Sequence, residues 1–126
     1  MKFTSYSTRI ENTTAYVFGG KALDFDLEGG LEEIFESLIN FGVRRIVLTL
    51  GKMRFLHHTL FACLLATERR LSELGGDLVL AEVPWFVQHS LDEMGLLHRF
   101  SLAPSADTVR RAESMKVDLN QDIILG

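Results

Sequence analysis

Two nearly continuous apolar runs constrain the fold of this chain more than any other feature of its sequence. Residues 45–50 and residues 78–81 are apolar almost without alternation, which is typical of strands buried on both faces. Between them, apolar residues recur at helical spacing from about His58 to Leu74. A strand, a helix and a second strand in this order predict two parallel strands joined by a helical crossover.

The residues before the first buried run predict a hairpin and a helix. Residues 4–10 alternate in the manner of a strand, Asn12 lies in a turn sequence, and residues 15–18 form the predicted returning strand. Residues 31–39 then carry apolar side chains at the spacing of one buried helical stripe. Gly42 follows in the place where a left-handed residue ends a helix.

The residues after the second buried run continue the alternation. Pro84 begins a third predicted helix, residues 98–102 form a short last strand, and Ser105 caps a final helix. The predicted fold class is therefore α/β: an N-terminal β-hairpin, then alternating helices and strands that form a mixed, largely parallel sheet with helices packed on it. We expect residues 1–116 to form this domain and residues 117–126 to form a C-terminal tail.

Composition bounds the size of the protein and the class of its partners. The chain has 126 residues, of which 47% are hydrophobic and 24% are charged, a balance typical of one globular domain. Its formal net charge is −4, and its Lys and Arg residues form no cluster. Because phosphate contacts require a concentrated basic surface, nucleic acid is excluded as the main partner.

Cysteine usage and hydropathy predict the compartment. The lone Cys63 excludes an internal disulfide and a CxxC metal site, which is typical of a reducing environment. The N-terminal residues 1–20 lack the apolar core of a signal peptide. The longest uncharged run, residues 55–67, is shorter than the roughly 20 apolar residues that a membrane-spanning helix needs. We expect a cytoplasmic protein without membrane insertion.

Several short motifs follow one another in a fixed order over roughly residues 16–111. They are Gly20, the run Ile46-Val47-Leu48, the pair Phe55-Leu56, the segment Leu74-Gly75-Gly76-Asp77-Leu78-Val79-Leu80, and then Val87, Leu91, Gly95 and Phe100. In order and spacing these motifs resemble the STAS domain, the fold of bacterial anti-sigma factor antagonists. The resemblance makes the expected α/β fold STAS-like.

The resemblance also implies a function and a regulatory residue. Antagonists of this family are binding modules without a cofactor, not enzymes, and their partner is a serine kinase of the histidine-kinase-like ATPase class. Phosphorylation of a Ser or Thr at the start of the second helix breaks that complex. The family pattern there is an aromatic residue, an aliphatic residue, Asp, Ser, Ser or Thr, and Gly. Here the residues are Phe55-Leu56-His57-His58-Thr59-Leu60.

In this alignment Thr59 falls on the phospho-acceptor position, and three neighbours depart from the pattern. His57 replaces the Asp, His58 replaces the first Ser, and Leu60 replaces the Gly. Leu60 is expected to fill the space through which a kinase loop approaches the backbone. The change at His57 is expected to remove a carboxylate beside the acceptor hydroxyl.

The position of Thr59 suits a phosphate on physical grounds as well. In the first turn of a helix, unpaired backbone N–H groups and the helix dipole tolerate an anion. A phosphate adds about −1.5 to −2 charges, which would weaken the docking of a partner by repulsion and desolvation. The alternative is that the Thr59 hydroxyl only caps a backbone group.

A docking surface is predicted around this helix start. Trp85 and Phe86 begin the third predicted helix, and one of them is expected to face outward because the inward-facing stripe already begins at Val87. At least one of the two is expected to lie in the core. Exposed aromatic residues are common interface anchors. The predicted partner-binding residues are Phe55, Leu56, His57, His58, Thr59 and Trp85.

Histidines and the cysteine suggest two kinds of catalytic or metal site, and the sequence favours neither. His57 and His58 could join His89 or His98 in a metal site, but no HxxxH or His-x-x-Glu pair lies on this helix. Cys63 lies among apolar residues, which predicts a buried, unreactive thiol. We therefore predict no catalytic residue and no metal ligand.

The leading hypothesis is a non-enzymatic, anti-sigma factor antagonist-like protein–protein interaction module in a bacterial partner-switching circuit that regulates transcription. Thr59 is its candidate phosphorylation site, and a second copy of the chain is a further candidate partner. Two alternatives stay open at this stage. One is a STAS-type accessory subunit of a lipid or anion transporter, and the other is a His-dependent metalloprotein.

Overall fold

A computed structural model of the protein describes residues 6–26 and 29–125, with side chains described as far as residue 115. Within these residues the chain forms five strands, four α-helices and two short 3-10 helices. The strands are β1 Ser7–Glu11, β2 Thr14–Phe18, β3 Arg45–Thr49, β4 Asp77–Ala81 and β5 Ser101–Ala103. The α-helices are α1 Gly30–Phe41, α2 His58–Glu73, α3 Trp85–Glu93 and α4 Ala106–Leu125, and the 3-10 helices are Gly20–Phe25 and Leu97–Arg99.

The strands form a single mixed sheet in which spatial order follows chain order, β1-β2-β3-β4-β5. The first two strands are antiparallel, and every later pair is parallel. The hairpin turns at Asn12, whose positive φ of 57° places it in the left-handed region. The predicted α/β fold class, with its N-terminal hairpin and largely parallel sheet, is confirmed.

Both faces of the sheet are covered, but by different helices. The larger core lies between the sheet and α1, α2 and α3, where residues such as Phe35, Leu48 and Leu64 are almost completely buried. The smaller core lies beneath α4, where Val47 of β3 meets Ala106. Burial on both faces explains why the sequence of β3 is continuously apolar rather than alternating.

Polar contacts fix α4 against the sheet. One oxygen of the Glu113 carboxylate accepts hydrogen bonds from the Thr14 hydroxyl at 3.1 Å and from Arg45 at 2.8 Å, and the other accepts from the Tyr16 hydroxyl at 3.1 Å. Arg45 also pairs with Asp77 at 2.8 Å. Burial, followed by the Glu113 charge, raises the pKa of Tyr16 to about 12, so the phenol stays a neutral donor.

The structure differs from the sequence-based prediction in one strand, and it adds detail in two further segments. The last strand is Ser101–Ala103, not residues 98–102, because the amides of Arg99 and Phe100 bond to the carbonyls of the preceding 3-10 turn. The connection after β2 contains the 3-10 helix Gly20–Phe25. The expected boundary after residue 116 falls within the run of α4, and the domain division stays a prediction.

Two of the three predicted helix-end residues behave as expected, and the third is displaced by one position. Gly42 follows α1 with φ 111°, and the Ser105 hydroxyl accepts a hydrogen bond from the Thr108 amide at the start of α4. Pro84 is the N-cap of α3 rather than its first residue.

In the part of the chain that the structure describes, no helix is both long enough and apolar enough to cross a membrane.

Candidate functional site

The start of α2 is held in place by the imidazole ring of His57. This residue is the N-cap of α2, and its Nδ1 accepts a hydrogen bond from the Leu60 amide at 3.2 Å. Its Nε2 lies 2.8 Å from the carbonyl oxygen of Leu23. Since a carbonyl can only accept, Nε2 must carry the proton and donate, which leaves Nδ1 free to accept as the cap requires. The pattern therefore assigns one neutral tautomer to His57.

The loop before α2 is fixed by a carboxylate from a distant part of the chain. Asp24, in the 3-10 helix after β2, accepts hydrogen bonds from the amides of Arg54 at 2.7 Å and Phe55 at 3.0 Å. These bonds fix the backbone of the segment that leads into α2. Sequence reasoning missed this role of Asp24, because its partners lie about thirty residues further along the chain and no local pattern links them.

At the first turn of α2 the candidate phospho-acceptor faces solvent. His58 and Thr59 are both exposed, whereas the side chain of Leu60 is only 1% exposed and lies in the main core. The expectation that Leu60 fills the surface beside Thr59 is wrong. The helix turns this position inward, so the approach to Thr59 is left open.

Three aromatic side chains are strongly exposed near this helix start. Phe25, Phe55 and Trp85 are 80%, 61% and 77% exposed. Each lies in the segment that follows β2, β3 or β4, and these strands are parallel. Because the carboxyl ends of parallel strands meet at one edge of a sheet, all three lie at the same end of the molecule, where α/β proteins commonly bind ligands and partners. Phe25 was not among the predicted site residues.

The predicted binding residues divide into two groups. Phe55, His58, Thr59 and Trp85 are exposed, while Leu56 and His57 are half-buried, Leu56 against the main core and His57 in the hydrogen bonds described above. We use the name carboxyl-edge surface for the exposed set together with the newly found aromatic residue. It consists of Phe25, Phe55, His58, Thr59 and Trp85.

Two of the four histidines, His57 and His89, contact other protein groups. Both ring nitrogens of His57 are engaged, and His89 Nε2 lies 3.1 Å from the Glu93 carboxylate. Among the residues that the structure describes, no group of three or more His, Cys, Asp or Glu side chains could hold a metal ion. Cys63 is buried, and this burial raises the pKa of its thiol to about 12, which keeps it protonated near neutral pH.

The capping role of His57 predicts a graded response to substitution. We expect His57→Ala to lower the free energy of unfolding by about 1–2 kcal/mol, because it removes both the helix cap and the bond to Leu23. His57→Asn should lose less, since an amide side chain can accept and donate at once. Urea denaturation measures both values.

His58→Ala is the matched control for this series. His58 is exposed and adjacent, so its replacement should change the free energy of unfolding by no more than about 0.5 kcal/mol. Equal losses from His57→Ala and His58→Ala would show that the imidazole cap contributes nothing to the helix start.

Comparison with known proteins gives structural relatives only. No protein-family model matches the sequence, and neither does any curated protein. Among solved structures, an anti-sigma factor antagonist from Mycobacterium paratuberculosis superposes with a TM-score of 0.69 at 18% identity, covering 86% of this chain and 92% of that one. The Bacillus anti-sigma factor antagonist SpoIIAA is also similar in two forms. Its unphosphorylated form gives a TM-score of 0.66 at 14% identity, over 87% of this chain and 97% of SpoIIAA. Its phosphorylated form gives a TM-score of 0.64 at 12% identity, over 86% of this chain and 99% of SpoIIAA.

Proposed function

We propose, from the STAS fold that this chain shares with the anti-sigma factor antagonists, that it is a non-enzymatic protein–protein interaction module of a bacterial partner-switching circuit. It acts in the cytoplasm, and its partner is a serine kinase of the histidine-kinase-like ATPase class. Docking occurs through the carboxyl-edge surface. Through that kinase the protein regulates transcription.

The observation that carries this proposal is the grouping of exposed aromatic rings with an exposed hydroxyl at one edge of the sheet. A soluble protein normally buries large aromatic side chains, and exposed ones concentrate binding energy when a partner covers them. Phe25, Phe55 and Trp85 are each more than half exposed. Thr59 lies at the start of α2, in the same region, so a charge added there would lie within the contact area.

Phosphorylation of Thr59 is the proposed switch. The first turn of α2 leaves the amides of His58 and Thr59 without an intrahelical acceptor, so the helix itself tolerates a phosphate. A bound partner does not tolerate the phosphate, because the partner would have to cover about −1.5 to −2 extra charges within an apolar contact. Phosphorylation is therefore expected to release the partner without unfolding the domain. The existence of a phosphorylated form of SpoIIAA, which has the same fold, supports this assignment.

The test is capture of the kinase from a lysate of the native cell on the immobilised protein, with ATP or ADP present. We expect an ATPase-type kinase whose recovery depends on the nucleotide, and incubation with ATP should place phosphate on Thr59, located by mass spectrometry. Thr59→Glu should abolish capture, while Thr59→Ala should keep capture and lose the phosphate. The paired substitution of Phe55 and Trp85 by Ala should also abolish capture.

Phe41→Ala is the matched control for the aromatic substitutions. Phe41 is 78% exposed but lies at the end of α1, which leads to the amino end of β3. Its replacement should leave kinase capture unchanged. Unaltered capture by both Thr59→Glu and Thr59→Ala would contradict the switch. Recovery of membrane-transport components by all variants would contradict the partner-switching circuit and favour an accessory subunit of a transporter.

A further inference from the structure

The edge strand β1 has the backbone and side-chain features of a pairing surface. It is the outer strand of the sheet, five residues long, and Ser7–Ile10 are all exposed. The opposite edge is β5, which has only three residues. Natural sheets protect their edges with very short strands, prolines, bulges or charged side chains, above all lysine. The two charged residues of β1 are paired within the chain, Arg9 with Glu11 and Glu11 also with Arg110. β5 is short, but β1 contains no proline and pairs with β2 in an unbroken register.

The turn after β1 determines which backbone groups point outward. Glu11 pairs with Thr14 across a two-residue turn, so these two residues exchange both hydrogen bonds of the pair. Pairs alternate along an antiparallel ladder, so Arg9 also directs its amide and carbonyl groups toward β2. Thr8 and Ile10 direct theirs away from β2, on the side where no strand of residues 6–26 or 29–125 pairs with β1.

The side chains of β1 present an apolar face and a charged face. On the side of α1, Ile10 is 42% exposed and lines a groove of about 490 Å³ together with Ile34, Leu38 and Phe41. Phe41 itself is 78% exposed. On the other side of the sheet, Arg9 and Glu11 lie next to each other, with the guanidinium and carboxylate 3.1 Å apart.

We propose that β1 pairs antiparallel with β1 of a second copy of this chain, with Ile10 facing Ile10 across the two-fold axis. In this register the outward backbone groups of Ile10 bond to those of the second copy. Arg9 then lies opposite Glu11 of the second copy, and the same pair recurs by symmetry. The two apolar grooves meet over the axis, which covers Ile10 and brings the Phe41 side chains to its margin.

The charges select this register over its neighbours. Centring the pair on Arg9 would place two guanidinium groups opposite each other, which is destabilising. Centring it on Thr8 would place Arg9 opposite Ser7 and leave Glu11 without a cation from the second copy. Among these three registers, only the one centred on Ile10 pairs opposite charges between the two copies and also brings their outward-pointing backbone groups together.

This surface is separate from the carboxyl-edge surface. The turn at Asn12 leads into Thr14, which pairs with the first residue of β3, so the Ile10 end of β1 lies at the amino end of the parallel strands. Pairing through β1 gives a continuous ten-stranded sheet in which the two copies point their carboxyl edges in opposite directions. The proposal does not rest on the proposed kinase partner.

Sedimentation velocity over a range of protein concentrations tests the dimer. We expect the unmodified chain to pass from monomer to dimer, and Ile10→Lys to raise the dissociation constant at least about tenfold by placing two ammonium groups at the axis. Leu102→Lys is the matched control, because Leu102 has the same 42% exposure on the opposite edge strand, and it should leave the dimer unchanged. A chain that stays monomeric, or equal weakening by both substitutions, would overturn the proposal.

Charge exchange tests the register. Arg9→Glu and Glu11→Arg should each raise the dissociation constant about tenfold, because like charges then face each other at both symmetric positions. Mixing the two single variants should restore association, since each Glu then meets an Arg of the other variant. Circular dichroism confirms that each variant is folded. If the Arg9→Glu variant alone associated with the same dissociation constant as the unmodified chain, the register would be overturned. The Ile10→Lys variant tests the interface independently of both charge variants.

Discussion

Replacing Gly76 by alanine is expected to prevent folding or to lower the free energy of unfolding by at least about 4 kcal/mol. A Cβ atom on Gly76 would overlap the carbonyl oxygen of Arg44, a backbone atom that cannot turn aside. The same carbonyl accepts the Asp77 amide at 3.0 Å, at the point where β3 and β4 begin to pair. The added methyl group therefore requires the start of two central strands to separate. Urea denaturation followed by circular dichroism measures the loss.

Gly75 provides the control for this prediction one residue away. It has a positive φ of 82°, but a Cβ atom built on it meets nothing within 4 Å. Gly75→Ala should therefore cost only the strain of a left-handed alanine, about 1–2 kcal/mol. If both alanine variants lost the same free energy of unfolding, the close approach of Gly76 to Arg44 would not be what requires glycine there.

The second large effect is expected in the main core, where Phe35→Ala should lower the free energy of unfolding by about 3–5 kcal/mol. Phe35 is 1% exposed and is among the largest fully buried side chains of the described residues. Its removal leaves a cavity between α1 and the sheet that neighbouring side chains fill only in part. Chemical denaturation at low protein concentration, followed by circular dichroism, measures this value.

Phe41→Ala is the matched substitution on the same helix. Phe41 is 78% exposed in the isolated chain, so its loss should change the free energy of unfolding by no more than about 0.5 kcal/mol. A loss at Phe41 comparable with that at Phe35 would mean that α1 buries a different face from the one described.

The fold was predictable from the sequence because its main elements carry local signals. The apolar spacing of residues 31–39 and the glycine at position 42 define α1 without reference to any distant residue, and the continuous runs of β3 and β4 report burial on both faces. The sequence His98-Arg99-Phe100 is compatible with the start of a strand and with a short 3-10 turn, so the predicted strand begins three residues too early. The choice between them depends on contacts with Leu96 and Leu97 that the sequence pattern does not encode.

The candidate site was predictable in position but not in its supporting contacts. Helical periodicity predicts that Thr59 lies in the first turn of α2 and that one of Trp85 and Phe86 faces outward. The structure has Thr59 exposed, Trp85 77% exposed and Phe86 packed against the main core. The helical spacing of α2 places Leu60 on the buried stripe, as the structure has it, whereas the comparison with the family glycine places it on the surface beside Thr59. The usual N-cap residues are Ser, Thr, Asp and Asn, so a histidine cap that also bonds to Leu23 could be recognised only in three dimensions.

The spatial order of the strands has a consequence for how the protein forms during synthesis. Since each strand lies next to the one made just before it, every segment that leaves the ribosome can join a sheet edge that already exists. No early strand has to wait for a late one to be inserted beside it. The last helix, α4, is held by Thr14, Tyr16 and Arg45 through Glu113, so its docking surface is complete before the helix itself emerges. The nascent chain can therefore assemble in one direction, from the hairpin to the C-terminal helix.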